Sequence, residues 1–320
     1  MNPIIVIAGA TATGKTAAAV ALAKKINGEV VSADSMQVYK GMDIGTAKPT
    51  TAEMEGVPHH LLSIIEPHEP FSVALYQKLA TSAINDIHAR GAIPILAGGT
   101  GFYIKAVLQG AEFSDEEVNE ENQTAREIQL ALADEAQKNG TTGAETLHQK
   151  LSAIDPDAAR AIHPNNIKRV ARALGFCICT GRLFSQYNAA QREKKFLYAT
   201  TFCVLSFPRN VLYNRINTRT QAMFNSGLIA ETETLLSKGF HKGLAALNGI
   251  GYKETIQFLN AQLTLPETIN AVSQATRNYA KRQETWFRNQ APNAHIIPAL
   301  EKSPNELATH LLTPPVFSDF

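Results

Sequence analysis

Gly9-Ala10-Thr11-Ala12-Thr13-Gly14-Lys15-Thr16 sets two glycines, a lysine and a hydroxyl at the spacing G-x-x-x-x-G-K-[ST]. Such a loop turns successive backbone N–H groups toward one point, where they and the helix that follows attract anionic oxygens. Lys15 adds a point charge, and the Thr16 hydroxyl is an oxygen donor suited to Mg²⁺ beside a phosphate. The expected ligand is a diphosphate or triphosphate, as in nucleotide- and ATP-binding proteins. The loop alone names no substrate, because kinases, ATPases and transferases share it. A second chemical group follows. Asp34 comes after the apolar Val30-Val31, at the carboxyl end of what reads as an adjacent strand, where open α/β sheets form their ligand crevices. A carboxylate there could ligate Mg²⁺, act as a general base or cap a turn.

For the loop to work it must join a strand to a helix. The apolar run Ile4 to Ala8 and the Ala/Leu-rich stretch Thr16 to Ile26 supply them. Glu29 to Ser32, Ile93 to Ala97, Thr200 to Ser206 and His295 to Pro298 read as further strands, separated by helical patterns. This alternation predicts an α/β fold with a P-loop NTPase-like parallel sheet core. From about Ser114 to Tyr187 no strand pattern occurs. An acidic run, Asp115-Glu116-Glu117 and Glu120-Glu121, leads into polar helical stretches at Glu116 to Asn139, Ala144 to Ile154 and Asn166 to Thr180. The expected organisation is a core of 1–113 and 196–320 interrupted by a helical insertion domain at 114–195. Gly239 to Gly251 reads as a glycine-punctuated connection, and Thr313-Pro314-Pro315-Val316-Phe317 as a loosely held tail.

Composition narrows the class. The 320 residues exceed one domain of about 150. Cys177, Cys179 and Cys203 are the three cysteines, and their spacing suggests neither a disulfide framework nor a zinc site. No apolar run approaches the roughly 20 residues of a membrane span, and the first residues lack the basic segment of a secretory signal, so a cytoplasmic setting is expected. A net charge of +1 excludes a uniformly basic nucleic-acid binder but not locally basic faces. At helical spacing Val272, Ala275, Tyr279 and Trp286 share one side, with Arg277, Lys281 and Arg288 nearly opposite and Arg282 on a flank. Likewise Lys168 and Arg172 face away from an apolar seam of Ile167, Val170 and Leu174. Such faces can follow a phosphate backbone, although a solvated helix surface explains each one taken alone.

The stretch Asp34-Ser35-Met36-Gln37-Val38-Tyr39-Lys40-Gly41-Met42-Asp43-Ile44-Gly45-Thr46-Ala47-Lys48-Pro49 resembles the signature of the bacterial tRNA dimethylallyltransferases, the isopentenyl-diphosphate:tRNA (IPP) transferases. The likeness continues in order through Pro58-His59-His60-Leu61, Gly98-Gly99-Thr100-Gly101-Phe102-Tyr103-Ile104, His163-Pro164-Asn165-Asn166, Ile250-Gly251-Tyr252-Lys253-Glu254 and Lys281-Arg282-Gln283-Glu284-Thr285-Trp286-Phe287-Arg288, so it spans nearly the whole chain. It implies Mg²⁺-dependent transfer of the dimethylallyl group of dimethylallyl diphosphate to N6 of the adenine at tRNA position 37, 3′ of the anticodon, with release of diphosphate.

The resemblance also implies roles. Asp34 would be the general base, Thr100 a substrate contact beside the reaction centre (or an ordinary turn cap), and Arg219 a diphosphate ligand, with Arg215 its competitor. The tRNA contacts would be Asp34, Ser35, Met36, Gln37 and Thr100; Lys168, Arg169, Val170, Ala171 and Arg172; Asn248, Gly249, Ile250, Gly251, Tyr252 and Lys253; and Lys281 to Arg288. Arg126 would add one more, from a region longer here than in the family. Two departures are Asn166 in place of the family's Asp and Gly175 in place of its Glu, the glycine costing the helix about 1 kcal/mol relative to Ala. No cysteine follows Cys203, so the zinc finger of eukaryotic relatives is not expected. A monomer is expected for want of an exposed apolar stripe. The rival readings are a small-molecule P-loop kinase, an adenylate isopentenyltransferase and a non-enzymatic RNA-binding regulator.

Overall fold

A computed structural model describes residues 2–110, 120–192, 195–241 and 243–313, apart from the side chains of 120–126 and 191–192. The chain begins β1 (Pro3–Gly9), α1 (Lys15–Ile26), β2 (Gly28–Ser32), α2 (Thr51–Met54), β3 (His59–His60), α3 (Val73–Ala89), β4 (Ile93–Gly98) and α4 (Gly101–Gln109). Helices follow alone: α5 (Glu120–Lys138), α6 (Gly140–Ile154), α7 (Pro156–Ala161), α8 (Ile167–Thr180) and α9 (Phe184–Arg192). The chain then runs through β5 (Ala199–Ser206), α10 (Arg209–Asn225), α11 (Leu228–Ser237), α12 (Tyr252–Leu259), α13 (Leu265–Gln290), β6 (His295–Pro298) and α14 (Pro304–Leu311).

Among the described residues the strands form one sheet in the order β3-β2-β4-β1-β5-β6, parallel throughout. β1 is one of its two central strands, and both its faces are covered, which is why it is a continuous apolar run rather than an alternating one. Ile4, Val6 and Ala8 pack with Tyr76, Ile84 and Ile87 of α3, Ile104 and Val107 of α4 and Phe287 of α13. Ile5 and Ile7 pack on the opposite face with the alanines of α1 and with Leu307 and Leu311 of α14. The register pairs Ala8 with Gly98, Gly9 with Leu205 and Ser32 with Ala97. The carboxyl ends of β1, β2 and β4 therefore finish level, and the loops that leave them converge.

The five strands read from the sequence are present. β3 was missed because it is two residues long and carries no apolar alternation; it is held only by pairing with β2. The chain divides into two compact units, 1–110 with 196–320 and 111–195. In the second, Leu151, Val170, Leu174 and Cys177 centre a core of helix faces. α8 continues unbroken through Gly175, which is buried, and Asn166 at its start makes no side-chain cap. α7 and α9 were not read from the sequence, although α7 carries a visible start signal: Asp155 caps it and Pro156 opens it. Asp155 Oδ1 accepts from Ala158 N–H (3.0 Å) and Oδ2 from Ser185 N–H (2.7 Å), which ties α7 to α9. The acidic residues 115–117, the helical reading over 116–119 and the tail from Pro314 lie outside the described residues. Among the described residues no helix is long and apolar enough to cross a membrane.

Candidate active site

The loop between β1 and α1 is folded as its sequence demands. Gly9, Ala12 and Gly14 take φ values of 146°, 64° and 82°. A side chain at Gly9 would meet the Leu205 carbonyl oxygen at 2.7 Å. Ala12 accepts a left-handed conformation that costs a non-glycine residue roughly 1–2 kcal/mol. That strain is tolerated where backbone N–H groups must converge on an anion. Thr13 is buried and donates to Ala10 O (2.8 Å), so it braces the loop from within.

Thr11, Ala12, Gly14, Lys15 and Thr16 line one wall of a cavity of about 1100 Å³; Asp34 and Gln37, Gly98 and Gly99, Arg215 and Arg219, and Tyr279 and Gln283 are among the other residues that line it. Lys15 Nζ donates to Ala10 O (2.7 Å). Burial, and secondarily the charge of Arg219, lowers the Lys15 pKa to about 8 against an upward pull from Asp34. Burial also lowers the pKa of Arg219, which donates to Thr11 Oγ1 (3.4 Å) and feels the fields of Asp34 and Arg215. Among the described residues neither Lys15 nor Arg219 is in a salt bridge. Partly desolvated cations facing one another gain most from an anion placed between them. Arg219 is half-buried beside the loop, whereas Arg215 is exposed, donates to Ala12 O (2.8 Å) and lies over the Phe207 ring. The geometry thus favours Arg219 as the inner ligand and Arg215 as the outer brace.

Asp34 does cap a turn: its Oδ1 accepts from Met36 N–H (2.9 Å) and Gln37 N–H (3.3 Å). Capping does not exhaust the carboxylate, since Oδ2 has no donor among the described residues and Asp34 lines the cavity. Thr100 lies against the same turn, its Oγ1 accepting from Ser35 N–H (3.2 Å) and its own N–H donating to Ala33 O (3.0 Å). Burial raises the Tyr279 pKa to about 12, so its hydroxyl stays protonated at neutral pH.

The runs that the resemblance assigns to RNA contact divide between buried and exposed residues. Gln283 is buried: its Oε1 accepts from Thr11 N–H (2.9 Å) and its Nε2 donates to Gly99 O (2.9 Å), which crosslinks the anion loop to the turn after β4. Phe287 is buried in the sheet core, and Tyr252 and Gly251 are also buried. Val170 and Ala171 lie in the core of the insertion. Val170, Ala171, Tyr252 and Phe287 are turned into their cores, whereas Gln283 stands in the cavity wall. The same runs present Lys168, Arg169 and Arg172 on α8, Asn248 and Lys253 near α12, and Lys281, Arg282, Thr285 and Arg288 on α13 as exposed residues, while Ile250, Glu284 and Trp286 are half-buried. Gly249 approaches Met36 closely, since a Cβ there would lie 2.5 Å from the thioether methyl. The Arg126 side chain lies outside the described residues. Tyr279 and Gln283 escaped notice as cavity residues, though their i, i+4 spacing put them on one helix face. Replacing Gln283 with Leu leaves Thr11 N–H and Gly99 O without their partner, and stability is expected to fall by about 1–3 kcal/mol, read from the denaturant midpoint.

Comparison with known proteins places the chain in one family. A family model described as IPP transferase matches residues 37–290. The chain is 49% identical to a tRNA dimethylallyltransferase of Geobacillus thermodenitrificans over 289 residues, which cover 90% of this chain and 88% of that protein. A crystal structure of a tRNA isopentenylpyrophosphate transferase from Bacillus halodurans superposes with a TM-score of 0.70 at 42% identity, covering 97% and 96% of the two chains. A eukaryotic dimethylallyltransferase acting on tRNA gives a TM-score of 0.78 at 29% identity, covering 98% of this chain and 77% of that one. The parallel sheet and the loop after β1 are therefore those of a P-loop NTPase-like fold, and the chain belongs to the IPP transferase family.

Proposed function

We propose that this protein transfers the dimethylallyl group of dimethylallyl diphosphate to N6 of the adenine at position 37 of tRNA, releasing diphosphate. The observation that carries the reading is the placement of Asp34 in the wall of the same cavity as Lys15, Arg219 and the anion loop. Transfer breaks the bond between the allylic carbon and the diphosphate oxygen and forms a bond from that carbon to N6. Charge develops on the departing diphosphate, and the loop amides, Lys15 and Arg219 stabilise it. N6 becomes cationic as it is alkylated, and its proton passes to Asp34, whose Oδ1 is held by the 36–37 amides. The anticodon-loop adenine is unpaired, so it can leave the stack at modest cost and enter the cavity.

The Thr16 hydroxyl, an oxygen donor in the cavity wall beside Lys15, fits Mg²⁺. Bound there, the ion supplies further neutralisation of diphosphate charge. The exposed cations of α13 suit an RNA phosphate backbone, and so, within the other unit, do those of α8. We assign the protein to the cytoplasm, as a monomer. Incubation with labelled dimethylallyl diphosphate and either tRNA or AMP, and separately with ATP, tests the reading. Label entering tRNA is the expected result. Label entering AMP, or phosphate leaving ATP for a small acceptor, overturns it.

A further inference from the structure

The loop that carries the family signature is gripped from outside the cavity by one carboxylate. Glu231 on α11 accepts the N–H groups of Asp43 (3.0 Å), Ile44 (2.7 Å) and Gly45 (3.1 Å), together with the Tyr252 hydroxyl (2.6 Å). Three successive amides turned toward one point form an anion nest, and here the protein fills it with its own side chain. Tyr252 is fully buried at the start of α12, and Gly45 sits directly on its ring; a Cβ there would lie 2.5 Å from a ring carbon. Burial, reinforced by Glu231, raises the Tyr252 pKa, so its hydroxyl stays a donor.

Past Gly45 the chain offers Thr46 O and Ala47 O to Gln37 Nε2 (3.3 and 3.2 Å), while Gln37 Oε1 accepts from Ser32 Oγ (3.3 Å). The Gln37 amide is thereby fixed in orientation, and its backbone N–H joins that of Met36 on Asp34 Oδ1. Glu231 and Tyr252 touch none of the reacting groups, yet an unbroken chain of contacts runs from them to Asp34. We infer that Glu231 and Tyr252 are positioning residues for prenyl transfer, setting through residues 43–47 where Gln37 and the Asp34 turn stand in the wall of the cavity that receives the base. This rests on the reaction proposed above.

The test compares wild type, Glu231→Gln and Tyr252→Phe in the full chain with tRNA and dimethylallyl diphosphate. In Glu231→Gln an NH₂ group faces an N–H of the nest, and kcat is expected to fall about 10–100-fold. Tyr252→Phe falls less, because the three amides still hold the carboxylate. In both, KM for dimethylallyl diphosphate stays near wild type, while the melting midpoint falls by about a few degrees for the lost hydrogen bonds. Variants with wild-type kcat overturn the inference. So does a loss in which kcat, the diphosphate KM and the melting midpoint move together, since that marks a merely structural role. If Glu231→Gln fails to fold, Tyr252→Phe decides by the same criteria. Wild type that prenylates no tRNA overturns the reaction and this inference with it, whereas active wild type with unaffected variants overturns the positioning role alone.

Discussion

Asp34→Asn is expected to slow prenyl transfer about 10²–10⁴-fold, the usual worth of a positioned general base. The asparagine keeps an oxygen acceptor for the Met36 and Gln37 amides, so the turn after β2 survives the change. Only the capacity to accept the N6 proton is removed. Single-turnover rates with saturating tRNA isolate that step, and a parallel binding assay should show RNA affinity nearly unchanged. Wild-type chemistry in Asp34→Asn would reduce the carboxylate to its turn-capping role. A loss of RNA binding equal to the loss of rate would make it a contact rather than a base.

The second large effect belongs to Lys15. Lys15→Ala removes a cation aimed at the leaving diphosphate, and kcat is expected to fall about 10²–10³-fold, as for other preorganised charge-stabilising groups. Its pH dependence is more diagnostic. In the free enzyme the Lys15 pKa is lowered to about 8. The protonated form attracts the anion, so kcat/KM for dimethylallyl diphosphate is high below about pH 8 and declines as pH rises through it. Bound diphosphate favours the protonated lysine, so the matching limb of kcat moves to higher pH. Lys15→Arg, which does not titrate in this range, should flatten the kcat/KM limb even where it lowers the overall rate. An alkaline limb at the same pH in wild type and Lys15→Arg would assign the titration to another group.

The loop and the strand-end carboxylate that line the cavity were legible in the sequence because short-range rules govern their conformation. The anion loop follows from glycines at positions that need positive φ, and Asp34 from its place at a strand end. The RNA-facing residues were less legible, because a motif identifies a run of residues but not which of them point outward. Gln283 illustrates the difficulty: a polar residue among arginines reads as surface, yet it is buried because two backbone groups from distant loops need its amide. Tyr252 is similar, a residue in a motif of apparent RNA contacts whose ring supports Gly45 from below. Glu231 carried no sequence signal at all. Its importance comes from amides 186 to 188 residues away in the chain, a separation that no local pattern encodes. The strand β3 was missed for a related reason, since pairing rather than composition makes it a strand.

A crystal structure of the protein with an anticodon stem-loop RNA and a non-reactive thiolodiphosphate analogue of the donor tests the account where it is most exposed. The expected result is the analogue's diphosphate among the amides of residues 9–16 with Lys15 and Arg219 turned onto it, and the adenine N6 within hydrogen-bond reach of Asp34, about 2.6–3.2 Å. An adenine seated elsewhere, or a diphosphate bound away from the loop, would contradict it.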